Sequence, residues 1–176
     1  MGKPIVVFGS FVVDLTSRSA GLPVPGQTIL GSSFKMGPGG KGSNQAVAAH
    51  RAGANVTLVT KVGKDVFGKV ATDFYKGEGM NVDYILEDEN RETGVALILV
   101  DEKSAQNEIV VVPAACANIS MEEVEKYRPL IENASILLLQ HEINFDAQYA
   151  VIDIASKAGV KIVLNPAPAC EVPDEI

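Results

Sequence analysis

Short apolar runs alternate along this chain with longer stretches whose apolar residues recur at the period of a helix. Continuous apolar runs are typical of parallel strands that are covered on both faces. Strand–helix alternation predicts the α/β fold class, with a parallel sheet flanked by helices. The predicted strands cover residues 4–9, 55–60, 82–86, 135–140 and 160–164, and the predicted helices cover residues 43–51, 66–77, 120–133 and 145–158.

Capping signals mark the ends of several predicted helices. Ser120 with Glu123 three positions on forms a capping box. Gly159 is expected as the glycine that follows the last helix, and Asp65 fits an N-cap better than a catalytic role.

Residues 16–36 and 94–113 interrupt the alternation, because neither stretch has a helical pattern. The second contains two β-prone runs, 95–100 and 108–112, joined by a polar turn, which predicts a hairpin. We expect these stretches to form a small β layer that covers the main sheet as a lid. Residues 1–15, 37–93 and 114–176 would then form the α/β part. An exposed small sheet with free edges favours a homodimer through the lid.

Residues 37–46 read Gly-Pro-Gly-Gly-Lys-Gly-Ser-Asn-Gln-Ala and lead into a predicted helix. Four glycines within six positions allow a close backbone approach, because glycine has no Cβ. A helix start presents unpaired N–H groups. Lys41 adds a cation, and Asn44 can both donate and accept hydrogen bonds. This chemistry suits a polyhydroxylated or anionic small molecule.

Two nucleotide-binding motifs are close to this loop in sequence. Gly37, Gly39 and Gly42 satisfy the dinucleotide pattern G-x-G-x-x-G. That interpretation needs an acidic residue at the tip of the next strand, where Lys61 stands, so dinucleotide binding is a lesser alternative. A P-loop is excluded, since Lys41 is followed by glycine rather than by Ser or Thr.

The chain resembles the ribokinase family of carbohydrate kinases over its whole length. The most specific segment is Gly-Gly-Lys-Gly-Ser-Asn-Gln-Ala at 39–46, and Asn-Pro-Ala-Pro-Ala at 165–169 is typical of the same family. The resemblance implies ATP-dependent phosphorylation of a pentose, D-ribose at its 5-hydroxyl being favoured. A sister kinase acting on another sugar or a nucleoside, and a non-catalytic sugar-binding module, are the alternatives. Further matching segments are residues 5–10, 25–28, 62–68, 93–98, 117–118 and 140–142.

The resemblance also implies a sugar site. Its two carboxylates follow predicted strands, at the end of an α/β sheet where ligands bind, and the first would accept hydrogen bonds from two sugar hydroxyls. Two lid residues that alternate on one strand face would form an apolar roof. The implied substrate-binding residues are Asp14, Gly40, Lys41, Asn44, Glu142, Ala96 and Ile98.

These residues also have plainer interpretations. Asp14 could serve in a turn, Asn44 could be an N-cap, and Glu142 could simply be exposed. Ala96 and Ile98 could belong to the core.

The sequence departs from the family pattern at two positions. Val12 stands where many ribokinases have an Asn two positions before the sugar-binding Asp, so one hydrogen bond to the sugar is expected to be lost. Cys116 replaces a glycine, which would alter how the lid is attached.

The parts that handle phosphate in this family lie in its carboxyl-terminal half, and residues 1–176 do not contain them. We therefore expect the chain to be the amino-terminal half of a kinase, inactive alone, with no catalytic residue and no metal ligand. ATP and Mg²⁺, and K⁺ as a further ion, would bind mainly in the other half.

Charge and composition argue against two classes of partner, nucleic acids and membranes. The net charge of −7 argues against nucleic-acid binding, which needs a basic face. Apolar runs are too short to span a membrane, and no signal peptide is indicated, so a cytoplasmic protein is expected. Cys116 and Cys170 are interpreted as small buried hydrophobes. His50 and His141 have no nucleophile or metal-ligand partner nearby in sequence.

Overall fold

The structure, a computed structural model, describes residues 3–171. Its strands are β1 Ile5–Phe8, β2 Val12–Ser19, β3 Ser33–Gly39, β4 Val56–Gly63, β5 Ile85–Asp88, β6 Val95–Asp101, β7 Asn107–Val112, β8 Ile136–Gln140 and β9 Lys161–Asn165. Its α-helices are α1 Lys41–Arg51, α2 Val66–Gly77, α3 Met121–Lys126, α4 Arg128–Glu132 and α5 Phe145–Lys157, with a 3-10 helix at Ala114–Ala117.

Five strands form a parallel core sheet in the order β5-β4-β1-β8-β9. Successive side chains of β1 point to opposite faces. Val6 and Phe8 pack with residues of α3, α4 and α5, whereas Val7 packs with residues of α1 and α2. Both faces are therefore covered by helices, and the predicted α/β class with a parallel sheet is confirmed.

The other four strands form a second sheet in the order β3-β2-β6-β7, here called the lid sheet. β2 and β6 run parallel, while the two outer pairs are antiparallel. β6 and β7 form the predicted hairpin. All six residues of β7 are exposed, so this strand is an edge with little cover on either face within residues 3–171.

The strands of the lid sheet extend beyond the predicted lid boundaries. β2 begins at Val12 rather than at residue 16, and β3 continues to Gly39 rather than ending at residue 36. The reason is that β1 ends at Phe8 and the chain turns through Gly9 and Ser10. Asp14 consequently lies inside a lid strand, not in a loop at the end of the first core strand.

The predicted helix 120–133 is wrong as a single element. It breaks between α3 and α4 at Tyr127, two residues before Pro129. Proline lacks the N–H that a continuous helix would use, and its ring crowds the preceding turn. The capping box of Ser120 and Glu123 is confirmed, as is Asp65 as the N-cap of α2. β5 begins three residues later than its predicted strand, at Ile85 instead of residue 82.

Cys116 lies where the chain returns from the lid sheet to the core. Its side chain is fully buried, and Sγ lies 3.0 Å from the carbonyl oxygen of Phe11 and 3.2 Å from that of Lys61. It thus contacts both the segment that enters β2 and a strand of the core sheet. Cys170, by contrast, is exposed, so its interpretation as a buried residue is wrong.

Candidate functional site

A cleft of about 230 Å³ lies between the lid sheet and the carboxyl end of the core sheet. Lid strands supply one wall, and the start of α1 supplies the other together with Glu142, which follows β8. All seven residues singled out from the sequence line this cleft. The lining consists of Val12, Asp14, Gly40, Lys41, Asn44, Ala96, Ile98, Ile109, Val111 and Glu142.

Asp14 lies on the lid wall, and its carboxylate is available to accept hydrogen bonds from a ligand. It pairs in register with Ala96 on β6, which places both on the same face of the lid sheet. No hydrogen bond to its carboxylate is found among residues 3–171. Burial raises the pKa of Asp14 and the negative charge of Glu142 raises it further, while Lys41 acts in the opposite direction. When it is ionised, the Asp14 carboxylate has two oxygens that can accept hydrogen bonds from two hydroxyls of a ligand.

Glu142, on the opposite wall, is already bound by the protein. Its Oε1 accepts from the ammonium of Lys41 at 2.7 Å. Its Oε2 accepts from the amide of Lys41 at 2.7 Å and from the hydroxyl of Ser10 at 2.6 Å. Burial acts to raise the pKa of Glu142, but the hydrogen bonds from Lys41 and Ser10 outweigh it and hold the pKa below its ordinary value. We call Ser10, Lys41 and Glu142 the cleft cluster.

The glycine loop packs against the chain itself. A Cβ on Gly42 would come within 2.5 Å of the amide nitrogen of Ser10, and Gly40 has a φ of +91°. A Cβ on Gly39 would overlap the carboxylate of Asp14, whereas one on Gly37 would meet nothing within 4 Å. The close approach predicted for this loop is therefore made to the turn after β1 and to Asp14.

Asn44 is exposed and lies in the first turn of α1. The N-cap of that helix is Gly40, whose carbonyl oxygen accepts from the amide of Asn44 at 2.9 Å. The alternative interpretation of Asn44 as an N-cap is thus wrong, and its amide side chain faces the cleft.

The lid wall is apolar apart from Asp14. Ala96 pairs with Val111, and Ile98 pairs with Ile109, so these four side chains form one continuous patch. Ile109 and Val111 were missed as site residues, although the β pattern of 108–112 carries the signal for them, whereas Val12 had been noted as a departure at a sugar-binding position. Ser10 was also missed, and nothing in its local sequence marks it.

A second charged cluster lies away from the cleft. The ammonium of Lys61 contacts Glu123 Oε1 at 2.8 Å and Asp88 Oδ2 at 3.4 Å. It also donates to the carbonyl oxygen of Asn118 at 2.7 Å, and the amide of Asn118 donates to Asp88 at 2.6 Å. The Lys61 side chain is only 7% exposed. We call Lys61, Asp88, Asn118 and Glu123 the sealed cluster, and no pattern in the sequence predicted it.

The two histidines lie outside the cleft. His50 contacts the carbonyl oxygen of Glu78 at 2.9 Å, and His141 is buried beside Cys170. Within residues 3–171, no three His, Cys, Asp or Glu side chains are grouped to hold a metal ion. None of the helices in the described part is long and apolar enough to cross a bilayer.

The loop geometry differs from that of a dinucleotide site. Gly37 and Gly39 lie within β3, an antiparallel edge strand of the lid sheet, and Gly42 lies in the first turn of α1. A dinucleotide fold instead places its glycine turn after a parallel strand of the main sheet.

Comparisons with known proteins agree on one family. Over 165 residues the chain is 38% identical to ribokinase of Mus musculus, covering 94% of this chain and 51% of that protein. It is 34% identical to deoxyribokinase of Salmonella typhi, covering 94% of this chain and 54% of that protein. A structure of Arabidopsis thaliana ribokinase complexed with ribose and ATP superposes with a TM-score of 0.82 at 30% identity, covering 95% of this chain and 54% of that one.

The chain spans about half the length of these relatives. Residues 3–176 match the pfkB family of carbohydrate kinases, and since that match takes in nearly every residue, the chain belongs to this family.

Proposed function

We propose that this chain forms the sugar-binding part of a kinase that transfers a phosphoryl group from ATP to a pentose. D-ribose is the substrate we favour, with ribose 5-phosphate as the product. The observation that supports this most is the cleft itself, in which a free carboxylate, an ammonium, an amide and an apolar patch face one another.

Each wall of the cleft would act on a different part of the sugar. Asp14 would accept hydrogen bonds from adjacent hydroxyls, each such charge-assisted bond contributing about 1.5–3 kcal/mol. Lys41, fixed by Glu142, and Asn44 would donate to further sugar oxygens. The apolar patch of Ala96, Ile98 and the two β7 residues would cover the carbon face and exclude water from the site.

ATP would supply the phosphoryl group, and Mg²⁺ would be expected to neutralise its phosphates, as phosphoryl transfer requires. The part that we propose for residues 3–171 is to hold and orient the sugar. K⁺ dependence and a cytoplasmic location remain further predictions.

A 2-deoxypentose is the second candidate substrate. Val12 lines the cleft with an apolar side chain, which leaves one position of the wall without a hydrogen-bond partner for a hydroxyl. A relative at 34% identity is a deoxyribokinase. A site that lacks a partner for one hydroxyl loses its ability to reject the sugar that lacks that hydroxyl.

Lid-to-lid contact between two copies is the assembly we propose. Val110 is 61% exposed and Leu97 is 48% exposed on adjacent strands, where they pair in register. Together with the uncovered β7 edge they form an apolar surface that a second copy could bury. Sedimentation of wild type and of Val110→Lys tests this, since the variant should be monomeric. A wild type that is monomeric at micromolar concentration would contradict it.

Calorimetry on the intact protein tests the substrate. D-ribose should bind, and Asp14→Ala should weaken it about tenfold to a hundredfold while ATP affinity stays unchanged. Asp73→Ala, which removes an exposed carboxylate on α2, is the matched control. A ratio of ribose to 2-deoxyribose affinity near one would favour the second candidate. Binding of neither sugar would overturn the proposal.

A further inference from the structure

Ser10 stands at the point where three separate segments of the chain meet. It lies in the short turn between β1 and β2, is 1% exposed, and is absent from the lining of the cleft. Its hydroxyl donates to Glu142 Oε2 at 2.6 Å and accepts from the amide of Gly42 at 3.3 Å. Its carbonyl oxygen accepts from the amide of Ser43 at 2.8 Å.

These contacts form a chain that ends at the ammonium of Lys41. Glu142 is placed by Ser10 on one oxygen and binds Lys41 Nζ on the other. The same serine holds the first turn of α1, which carries Lys41, through the amides of Gly42 and Ser43. Both ends of the Lys41–Glu142 ion pair are therefore positioned by one residue.

The arrangement divides the work between the two carboxylates. Both oxygens of Glu142 already accept hydrogen bonds from the protein, whereas Asp14 has no such partner among the described residues. Glu142 is thus suited to hold Lys41 and the loop in place. Asp14 is suited to bind the ligand.

We propose that Ser10 is a positioning residue of the sugar cleft, acting through Glu142 on Lys41 without touching the sugar. This inference rests on the proposed function for its effect on affinity, but its effect on Glu142 does not. Removing the hydroxyl takes a short hydrogen bond from a half-buried carboxylate and leaves the amide of Gly42 without its partner.

The first measurement is independent of any sugar. Carbon NMR of the Glu142 carboxyl, in the intact protein, should show a higher pKa in Ser10→Ala than in wild type, because a donor that stabilises the charged form is lost. Ser43→Ala is the matched control: Ser43 is also 1% exposed, but its hydroxyl accepts from Tyr75 at 2.7 Å instead of contacting Glu142. That control should leave the titration of Glu142 unchanged.

The second measurement is the affinity for D-ribose. Ser10→Ala should weaken it about tenfold to a hundredfold, with a smaller change in kcat, and Ser43→Ala should not. Ser10→Cys keeps a small side chain with a weaker donor, and it should fall between wild type and Ser10→Ala in both measurements.

The outcomes separate the two proposals. If wild type binds no pentose, the proposed function fails, and the Glu142 titration still decides the role of Ser10. An unchanged Glu142 titration in both Ser10 variants, or an equal effect of Ser10→Ala and Ser43→Ala, would overturn the positioning role. Should Ser10→Ala not fold, Ser10→Cys supplies the same comparison.

Discussion

The cleft cluster and the sealed cluster use the same chemistry to different ends. Each is built around a lysine that is ion-paired near the carboxyl end of core strands, Lys41 with one carboxylate and Lys61 with two. Lys41 is 39% exposed on its side chain, whereas Lys61 is 7% exposed. In the sealed cluster every charge is paired within the protein. Beside the cleft cluster, Asp14 is left unpaired among the described residues, and this unpaired acceptor is what suits the cleft to the proposed sugar site.

Breaking the sealed cluster should have the largest effect. Lys61→Met leaves two carboxylates without their counter-charge, the buried one of Asp88 and that of Glu123. Removing one partner of a buried ion pair typically costs about 3–5 kcal/mol of the free energy of unfolding. Urea denaturation at neutral pH measures it. Lys69→Met removes an exposed lysine paired with Asp73 and should change stability by less than about 0.5 kcal/mol. Equal costs for both variants would contradict the distinction.

Lowering the pH should weaken the sealed cluster by a smaller amount than Lys61→Met does. Burial acts to raise the pKa of Asp88, but hydrogen bonds from Asn118 and Asn90, and the charge of Lys61, hold it below its ordinary value. Because the pKa of Asp88 is lower in the folded than in the unfolded state, its ionised form stabilises the fold at pH values above the unfolded pKa. That stability is lost as pH falls below about 4. Urea denaturation across this range should therefore show a steeper loss in wild type than in Asp88→Asn.

Asp14 should behave in the opposite sense. Its pKa is raised, so protonation favours the folded state and the cost of its charge is relieved as pH falls. Asp14→Asn should accordingly be more stable than wild type at neutral pH, and the difference should shrink on acidification. If Asp14→Asn were less stable than wild type at pH 7, the prediction that the Asp14 charge destabilises the fold would be wrong.

On the cleft side, Gly39→Ala should displace Asp14 at little cost in stability. The added Cβ would overlap the Asp14 carboxylate, a side chain that can rotate away, while Gly37→Ala meets nothing within 4 Å. We expect about a tenfold loss of sugar affinity for Gly39→Ala, the loss of one well-placed hydrogen bond, and none for Gly37→Ala. Calorimetry on both variants measures the sugar affinity. Equal affinities for the two variants would show that sugar binding does not depend on the position of the Asp14 carboxylate.

Lys41→Met should affect stability much less than Lys61→Met. The Lys41 side chain is 39% exposed where its ion pair with the half-buried Glu142 opens onto the cleft, so solvent screens this pair more than that of Lys61, and we expect a cost of about 1 kcal/mol. Urea denaturation should thus detect little, even though sugar binding should weaken. A stability loss as large as that of Lys61→Met would mean that the cleft cluster is a structural element.

The sequence predicted the layers of the fold because each layer has its own periodicity. It also predicted the cleft wall of α1 from the run 37–46, which is local and specific. The break at Tyr127 could have been predicted from Pro129, which the single helix 120–133 left out of account. Asp14 was expected to follow the first core strand, but it lies inside β2, because the chain starts a new strand of the lid sheet at Val12 after the turn at Gly9 and Ser10.

The remaining features arise from contacts between distant positions. Lys61 lies in an apolar strand, and its partners Asp88 and Glu123 each follow much later, so no local pattern links them. Ser10 is an ordinary turn serine until the fold brings it to Gly42 and Glu142. Tertiary contacts of this kind are set by the packing of the two sheets, which a single sequence does not display.

The parallel pairing of β2 with β6 has a consequence for the order of folding. Val13 pairs with Val95, and the chain between them includes α1, β4, α2 and β5. Such a pairing closes a long loop, whose entropic cost must be met before the contact is rewarded. We therefore expect the central lid strands to join only after those core elements have formed. Asp14 and the apolar roof would then meet late, so that binding competence would lag behind core folding.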